Sequence, residues 1–354
     1  MNRIIRFSTM VCFLFGQLIS QAQDIHFSQF YENAILRNPA LTGIFSGDYK
    51  AGINYRQQWS NISVPFQTVL ASVESRVTVN SETGDNLSFG LTATYDKAGS
   101  ISFNSFQIYP AINYNKALED RHQSYLSVGF AAGYVQRSID PSKMTFSNQY
   151  QNGMFNPYSN SNENITKTKA QYFDLGAGVS FNSSAGENNQ LNYYVGAAAY
   201  HINKPKAGFS DNEAFLRMNL KWNGNLGVQY MIDEQYALTL HANYSRQGTY
   251  QETIAGALAS WRSMDQRQRT NFVFYAGLFY RFNDAIIPTV KLDYKNYSFT
   301  VSYDLNNSGL RTASNGMGGT EISIFSRGVL SKGPWAQDKN KCPRFESMIL
   351  PAFR

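Results

Sequence analysis

Cysteine is nearly absent from this chain of 354 residues, with only Cys12 and Cys342. Cys12 sits in an N-terminal apolar run of leader form. Once that is cleaved, the single Cys342 cannot form an internal disulfide, so the fold cannot depend on bridges. Charge is scarce as well: Asp, Glu, Lys and Arg make up 16% of the sequence, against the ~25% usual in soluble domains. After the first twenty residues no apolar run approaches the ~18 residues that a membrane-crossing helix requires, so a helical membrane protein is excluded. There are four histidines, His26, His122, His201 and His241, none in an HxxxH or HExxH pair, and there is no CxxC, so a zinc site has no support. No GxGxxG, Walker-type or GxSxG stretch occurs, and Gly316-Met317-Gly318-Gly319 lacks the Lys-Ser/Thr that phosphate chemistry needs. No cofactor is expected. The formal net charge of +6 includes N-terminal arginines and is otherwise scattered among acidic residues. It therefore marks neither a nucleic-acid stripe nor a polybasic anchor.

Aromatics and alternation are what the sequence has in abundance. Aromatics are 15% of the chain, with 25 Phe and 23 Tyr. Leu126, Val128, Phe130, Ala132 and Tyr134 alternate with Ser127, Gly129, Ala131 and Gly133. Phe173, Leu175, Ala177, Val179 and Phe181 alternate with Asp174, Gly176, Gly178 and Ser180. This period of two is that of strands. Aromatics gather near the ends of the apolar faces (Tyr49 and Trp59, Phe89 and Tyr95, Tyr297 and Tyr303), as interfacial girdles require. The small and polar opposite faces suit a lumen. The expected fold is all-β: a transmembrane antiparallel β-barrel of the bacterial outer membrane.

About fourteen alternating runs follow one another, starting near Asp48, Pro65, Asn86, Ser105, His122, Ala170, Leu191, Phe215, Gln235, Glu252, Thr270, Ile286, Asn296 and Gly318. The second, tenth and twelfth carry the weakest pattern, which leaves twelve and sixteen strands as alternatives. Runs of about nine to twelve residues are long enough to cross the hydrocarbon when tilted. Residues 48–328 are thus the barrel. The N-terminus has the form of a signal peptide over residues 1–22: Arg3 and Arg6 precede an apolar core, and Ser20-Gln21-Ala22 is a small-x-small site. Cleavage is expected between Ala22 and Gln23. Residues 23–47 carry no alternation but are rich in aromatics, which suits a plug or brace at the periplasmic mouth. Residues 329–354 form a periplasmic tail. Its Cys342 either pairs with another protein or stays a thiol. The long polar segments Ser138–Lys169, His201–Ala214 and Asn306–Met317 all follow odd-numbered strands and are expected outside, with tight turns such as Asp233-Glu234 and Lys295-Asn296 inside.

The best catalytic candidate is a quartet on one strand face, Thr239, His241, Asn243 and Ser245. It opposes Leu238, Leu240 and Tyr244, which makes its face the lumen, and a lumen histidine bonded to its neighbours explains it as well. No catalytic residue is assigned. Lumen charges of mixed sign (Lys50, Arg56, Asp96, Asp174, Arg217, Lys221, Arg281, Lys291, Asp293, Asp304 and Glu321) suit paired ions in a narrow or plugged lumen better than a selective pore.

Gln23-Asp24-Ile25-His26-Phe27-Ser28-Gln29-Phe30-Tyr31, followed by Asn38-Pro39-Ala40-Leu41-Thr42-Gly43, resembles the opening of the PorP/SprF family. Tyr55-Arg56-Gln57-Gln58-Trp59 and Pro65-Phe66-Gln67-Thr68 are similar to it too. Further on, the resemblance includes Arg281-Phe282-Asn283-Asp284 through Pro288, Ser302-Tyr303-Asp304, Gly318-Gly319-Thr320-Glu321 and Cys342-Pro343-Arg344-Phe345. It covers both ends of the chain beyond the leader, while the middle third matches only as generic barrel. The resemblance implies a non-enzymatic part of the type IX secretion system, in gliding or surface-colonising bacteria. It implies as partners the periplasmic ring lipoproteins or a large secreted adhesin held through its C-terminal domain. It also singles out Asn38, Pro39, Gly43, Trp59, Asn283, Asp284, Pro288, Asp304, Gly318, Gly319, Cys342 and Pro343 as structural or partner-binding positions. An outer-membrane porin or transporter for small or apolar solutes is the alternative.

Overall fold

The computed structural model describes residues 24–329 and Phe345, except residues 62–63, 81, 120–121, 152, 157, 163–166, 187, 210–216, 267–269 and 310. The expected leader with its Ala22–Gln23 junction lies outside the described residues. So do Cys342, Pro343 and the rest of the tail apart from Phe345.

Fourteen strands make the wall: β1 (Tyr49–Gln58), β2 (Phe66–Asn80), β3 (Asp85–Ala98), β4 (Phe103–Glu119), β5 (Ser124–Ser138), β6 (Lys169–Ala185) and β7 (Leu191–Tyr200). They continue with β8 (Lys221–Met231), β9 (Tyr236–Gln247), β10 (Tyr250–Met264), β11 (Thr270–Arg281), β12 (Ala285–Tyr294), β13 (Tyr297–Asn306) and β14 (Met317–Gly328). Each is antiparallel to its sequence neighbours, and β1 pairs with β14 from Tyr49↔Gly328 to Gln58↔Gly319, which closes the ring. Closure is what lipid demands, because an open sheet edge leaves backbone groups unbonded where no water can reach them. All fourteen expected runs are present, the three weakest included. They reach 17 residues in β4 and β6, longer than the sequence pattern indicated.

One boundary is corrected. The eighth strand begins at Lys221 and not near Phe215, because its partner β7 ends at Tyr200, opposite Lys221. Met218 and Leu220 continue the alternation without a strand to pair with. Arg217 forms an isolated bridge with Lys206 and is exposed, so it is not a lumen charge. Alternation reports an extended backbone, whereas a strand also needs a neighbour.

Side chains sort as the period of two requires. On β5 the apolar Leu126, Val128 and Phe130 point outward and are exposed, while Ser127, Gly129 and Ala131 point inward and are buried. Two prolines sit inside strands. Pro110 and Pro288 each coincide with a gap in the ladder, between β4 and β5 and between β12 and β13, as expected of a residue with no N–H to donate.

At one end of the barrel all connections are short turns, the tightest being Lys295-Asn296 between β12 and β13, with Lys295 at φ +54°. At the other end lie the long connections 139–168, 201–220 and 307–316. Not every connection at that end is long: 99–102, 248–249 and 282–284 are tight. The loop after β5 carries a miniature hairpin, Tyr150–Gln151 against Met154–Phe155.

The outward face of β8 supplies a test. Leu226 lies mid-strand and is exposed to the lipid side, between the inward Asn225 and Gly227. Leu226→Arg should cost roughly 2–4 kcal/mol of unfolding free energy in phospholipid vesicles, the range for a cation near the bilayer midplane. Unchanged stability would contradict the assignment of that face to lipid.

Candidate functional site

A fourteen-strand ring is too wide for its own side chains to fill; even an eight-strand barrel has an interior only just filled that way. Here the N-terminal segment fills it. Residues 24–47 do not cap the short-turn mouth, as the sequence suggested, but lie inside the lumen. Asp24 pairs with His201 and Lys221 at the long-loop end. Glu32 pairs with Lys50, near the short-turn start of β1. The correction has a simple cause. Nothing in a non-periodic sequence reports that its polar partners lie on the far strands of a ring.

The plug is built from three single turns, Phe30–Glu32, Ala34–Arg37 and Pro39–Leu41. None would persist alone, because isolated short helices are marginal in water; each is held by the wall. The Asn38-Pro39 pair shows how. Pro39 occupies the first position of its turn, where a missing N–H costs nothing. The Asn38 side chain caps that turn by accepting from the Ala40 N–H at 2.9 Å. Its Nδ2 donates outward to the Val179 carbonyl of β6 at 3.1 Å. That approach needs Gly178, since a Cβ there would stand 2.0 Å from Asn38 Oδ1. From β4, Asn113 Nδ2 donates to the Ala40 and Thr42 carbonyls at 2.9 and 2.8 Å. Gly43 then turns the chain with φ +80° and gives its N–H to Glu74 at 2.9 Å. Wall side chains thus take up the backbone groups that short turns leave unbonded.

Two ionic clusters lock the segment. In the first, the Arg56 guanidinium bridges two carboxylates, with Nη2 2.7 Å from Asp304 and Nη1 2.9 Å from Glu321. Arg281 joins from β11, 3.0 Å from Asp304 and 2.9 Å from Asp284. The plug enters here. The Ser28 and Gln29 N–H groups donate to the two Glu321 oxygens at 2.7 and 3.0 Å. Ser28 Oγ donates to Asp304 at 2.6 Å while accepting from Arg281 at 2.7 Å. Arg56 is 1% exposed. In the second cluster, Glu32 of the plug stands between Lys291 at 2.6 Å and Lys50 at 2.9 Å. Between the clusters the Tyr31 ring stacks on His241 at 4.8 Å and on Phe279 at 5.3 Å. Such buried pairs are held in place by mutual neutralisation: stripped of one partner, the other is stranded away from water.

Several positions singled out in the sequence converge on the first cluster. Asp304 is in it. Pro288 interrupts the ladder beside it, and the β13–β14 register shifts between Asp304 and Leu305. Gly319 is the pairing partner of Asp304, and a Cβ on Gly318 would lie 2.7 Å from the Asp304 carbonyl oxygen. The Trp59 N–H donates to the Gly318 carbonyl at 2.9 Å. Asn283 takes φ +58° in the tight turn that presents Asp284 to Arg281. Asn38, Pro39 and Gly43 belong to the plug. The catalytic candidates Thr239, His241, Asn243 and Ser245 are all buried lumen residues; His241 is packed against Tyr31, and the Asn243 side chain accepts from Asn225 at 2.6 Å. Of the expected lumen charges, Asp96 binds Thr68 at 2.6 Å and Asp174 contacts His201 at 3.0 Å. Sequence pattern alone did not point to Glu32 or Glu74, to Glu252, 3.6 Å from Arg281, or to Arg327, 3.0 Å from Asp293. A signal was present for the dock itself: glycines such as Gly129 and Gly178 on an inward face mark close packing, which a water-filled channel does not require.

The long loop after β5 is the other conspicuous surface. Tyr158 is 94% exposed and Met154 74%, with Tyr150 and Phe155 also exposed. A group of large apolar side chains in water is the usual mark of a contact surface.

Residues 19–324 match the family described as type IX secretion system membrane protein PorP/SprF. No curated protein matches the chain. Among solved structures, the Ralstonia pickettii toluene transporter TbuX is similar at 9% identity over 83% of this chain and 93% of its own, with a TM-score of 0.48. A Pseudomonas aeruginosa FadL homologue is similar at 10% identity over 81% of this chain and 91% of its own, with a TM-score of 0.49.

Removing the bridging guanidinium should be costly. Arg56→Ala takes the cation from Glu321 and leaves Asp304 to Arg281 alone, and is expected to lower unfolding stability by about 3–5 kcal/mol, the range for breaking a buried pair. Arg56→Lys, a point charge unable to span both carboxylates, should fall between. Equal stability of all three forms in denaturant titrations would show that the cluster carries no weight. Gly178→Val should displace the Asn38 turn, seen as new proteolytic cleavage within residues 34–46; an uncut plug would contradict the dock.

Proposed function

The chain belongs to the type IX secretion system membrane protein PorP/SprF family and is an outer-membrane component of that system; from this premise we propose that it works as a plugged, non-enzymatic platform for partner proteins and not as a conduit. The observation that carries this reading is the lumen filled by residues 24–47 and locked by the Arg56 and Glu32 clusters. With the lumen occupied, the functional surfaces are the two ends. The long-loop end faces the outside, following the usual arrangement of bacterial barrels. There the loop 139–168 offers Tyr150, Met154, Phe155 and Tyr158 to cargo, a secreted adhesin held by its C-terminal domain. The short-turn end and the C-terminal tail face the periplasm and the ring lipoproteins of the machine. Residues 24–47 are withdrawn from that role, since their side chains are spent on the wall.

Two measurements test the reading. Native outer-membrane preparations carrying the tagged protein should yield secretion components or one large secreted protein on mild-detergent purification. Replacing residues 141–166 with a short Gly-Ser linker should leave a folded, heat-modifiable barrel and abolish cargo recovery. Unchanged recovery would remove the loop from the account. In planar bilayers the intact protein should show no steady open-channel conductance, and a stable conducting state would favour the transporter alternative.

A further inference from the structure

We propose that the short-turn half of the lumen contains an aromatic seat, filled in cis by Phe345, which braces the plug against the wall. Phe345 is 5% exposed. Its ring meets Tyr194 edge-on, with centroids 4.6 Å apart and planes at 82°, and meets His241 at 5.5 Å and 69°. Both are arrangements that aromatic pairs prefer. The seat has a floor made for a ring: Gly227 of β8 carries no side chain, and a Cβ there would lie 2.7 Å from Phe345 Cζ. Leu41 of the plug shares the same buried apolar cluster, with Ala34 and Ile44 packed against it.

The two rings that receive Phe345 also hold the plug from their other sides. The Tyr194 hydroxyl accepts from Arg37 at 3.0 Å, and His241 stacks on Tyr31 at 4.8 Å. Phe345 therefore packs on wall rings that also hold the plug. The seat lies on β7–β9, across the ring from β14 where the barrel ends. A small cavity beside it, of about 30 Å³, is lined by Lys50, Glu74 and Arg327 as well as Phe345 and Leu41, room for water and not for a second ring. Withdrawing Phe345 leaves an apolar void under the Leu41 turn, so any ligand that takes the tail also loosens the plug. The N-terminal and C-terminal segments are coupled through one ring.

The test uses the Arg344–Phe345 bond as a reporter. A protease must draw several residues on both sides of a bond into extended conformation, which a seated Phe345 forbids. In the full-length barrel in native membranes, with Lys332, Lys339 and Lys341 changed to Gln so that Arg344 is the first trypsin site of the tail, cleavage is followed by intact mass. Phe345→Ala should raise the rate at Arg344 at least tenfold, and Phe345→Leu should rescue part of the protection. Heat-modifiability shows that each variant is folded. Leu41→Ala, 304 positions away in sequence, should also raise that rate, which a purely local tail structure would not allow. Equal cleavage of the Phe345 and Phe345→Ala forms overturns the seat. Cleavage unaffected by Leu41→Ala overturns the bracing of the plug.

Discussion

A guanidinium held between two carboxylates, inside a ring that lipid surrounds, is the constraint on which the rest of this molecule depends. Arg56 of β1, Asp304 of β13 and Glu321 of β14 belong to the strands at and next to the closing seam. Their charges face a space that the strand count makes too wide for side chains to fill. Left to water, that space would be a channel. Filled by an apolar segment, it would strand the charges. The segment that does fill it brings N–H groups, hydroxyls and two carboxylates, Asp24 and Glu32, to the wall. Ser28 and Gln29 satisfy Glu321 and Asp304, and Glu32 neutralises Lys50 and Lys291. Plug and wall are therefore complementary: an apolar segment in the same place would leave Lys50 and Lys291 buried without a carboxylate.

The outward half of the fold was readable from sequence for a physical reason. Lipid imposes the same demand on every strand, so alternation repeats fourteen times, and Leu126, Val128 and Phe130 look outward as their spacing says. The inward half obeys local demands. That the mixed lumen charges pair was foreseeable from their signs, and Arg56, Asp304 and Glu321 do so. Which charge meets which was not, because register around a ring is set by pairings hundreds of residues apart. Arg217 was misplaced since extended sequence without a partner strand has the same period as a strand. The plug was recognised as something other than a tail by its aromatics, yet placed at the wrong depth, because Ser28, Gln29 and Asn38 act through single contacts that leave no periodic trace. The roles of Asn283, Pro288, Gly318 and Gly319 as the frame around Asp304 became visible only once the strands were paired.

This division of labour also shapes what the protein can offer its system. The wall is committed to lipid and the interior to the plug, and the proposed function therefore assigns recognition to the two ends. At one end the loops carry exposed aromatics; at the other the turns are minimal, and the proposed seat of Phe345 lies in that half of the lumen.

The most direct test of the central claim is amide hydrogen exchange of the wild-type barrel in lipid nanodiscs, read at Ser28 and Gln29. Their N–H groups donate to Glu321 inside the lumen at 2.7 and 3.0 Å. They should be protected as strongly as the inner amides of β1 and β14, exchanging only with opening of the wall. Exchange as fast as in the tight exposed turn at 248–249 would mean that the plug is not locked, and that the charges of the seam are satisfied in some other way.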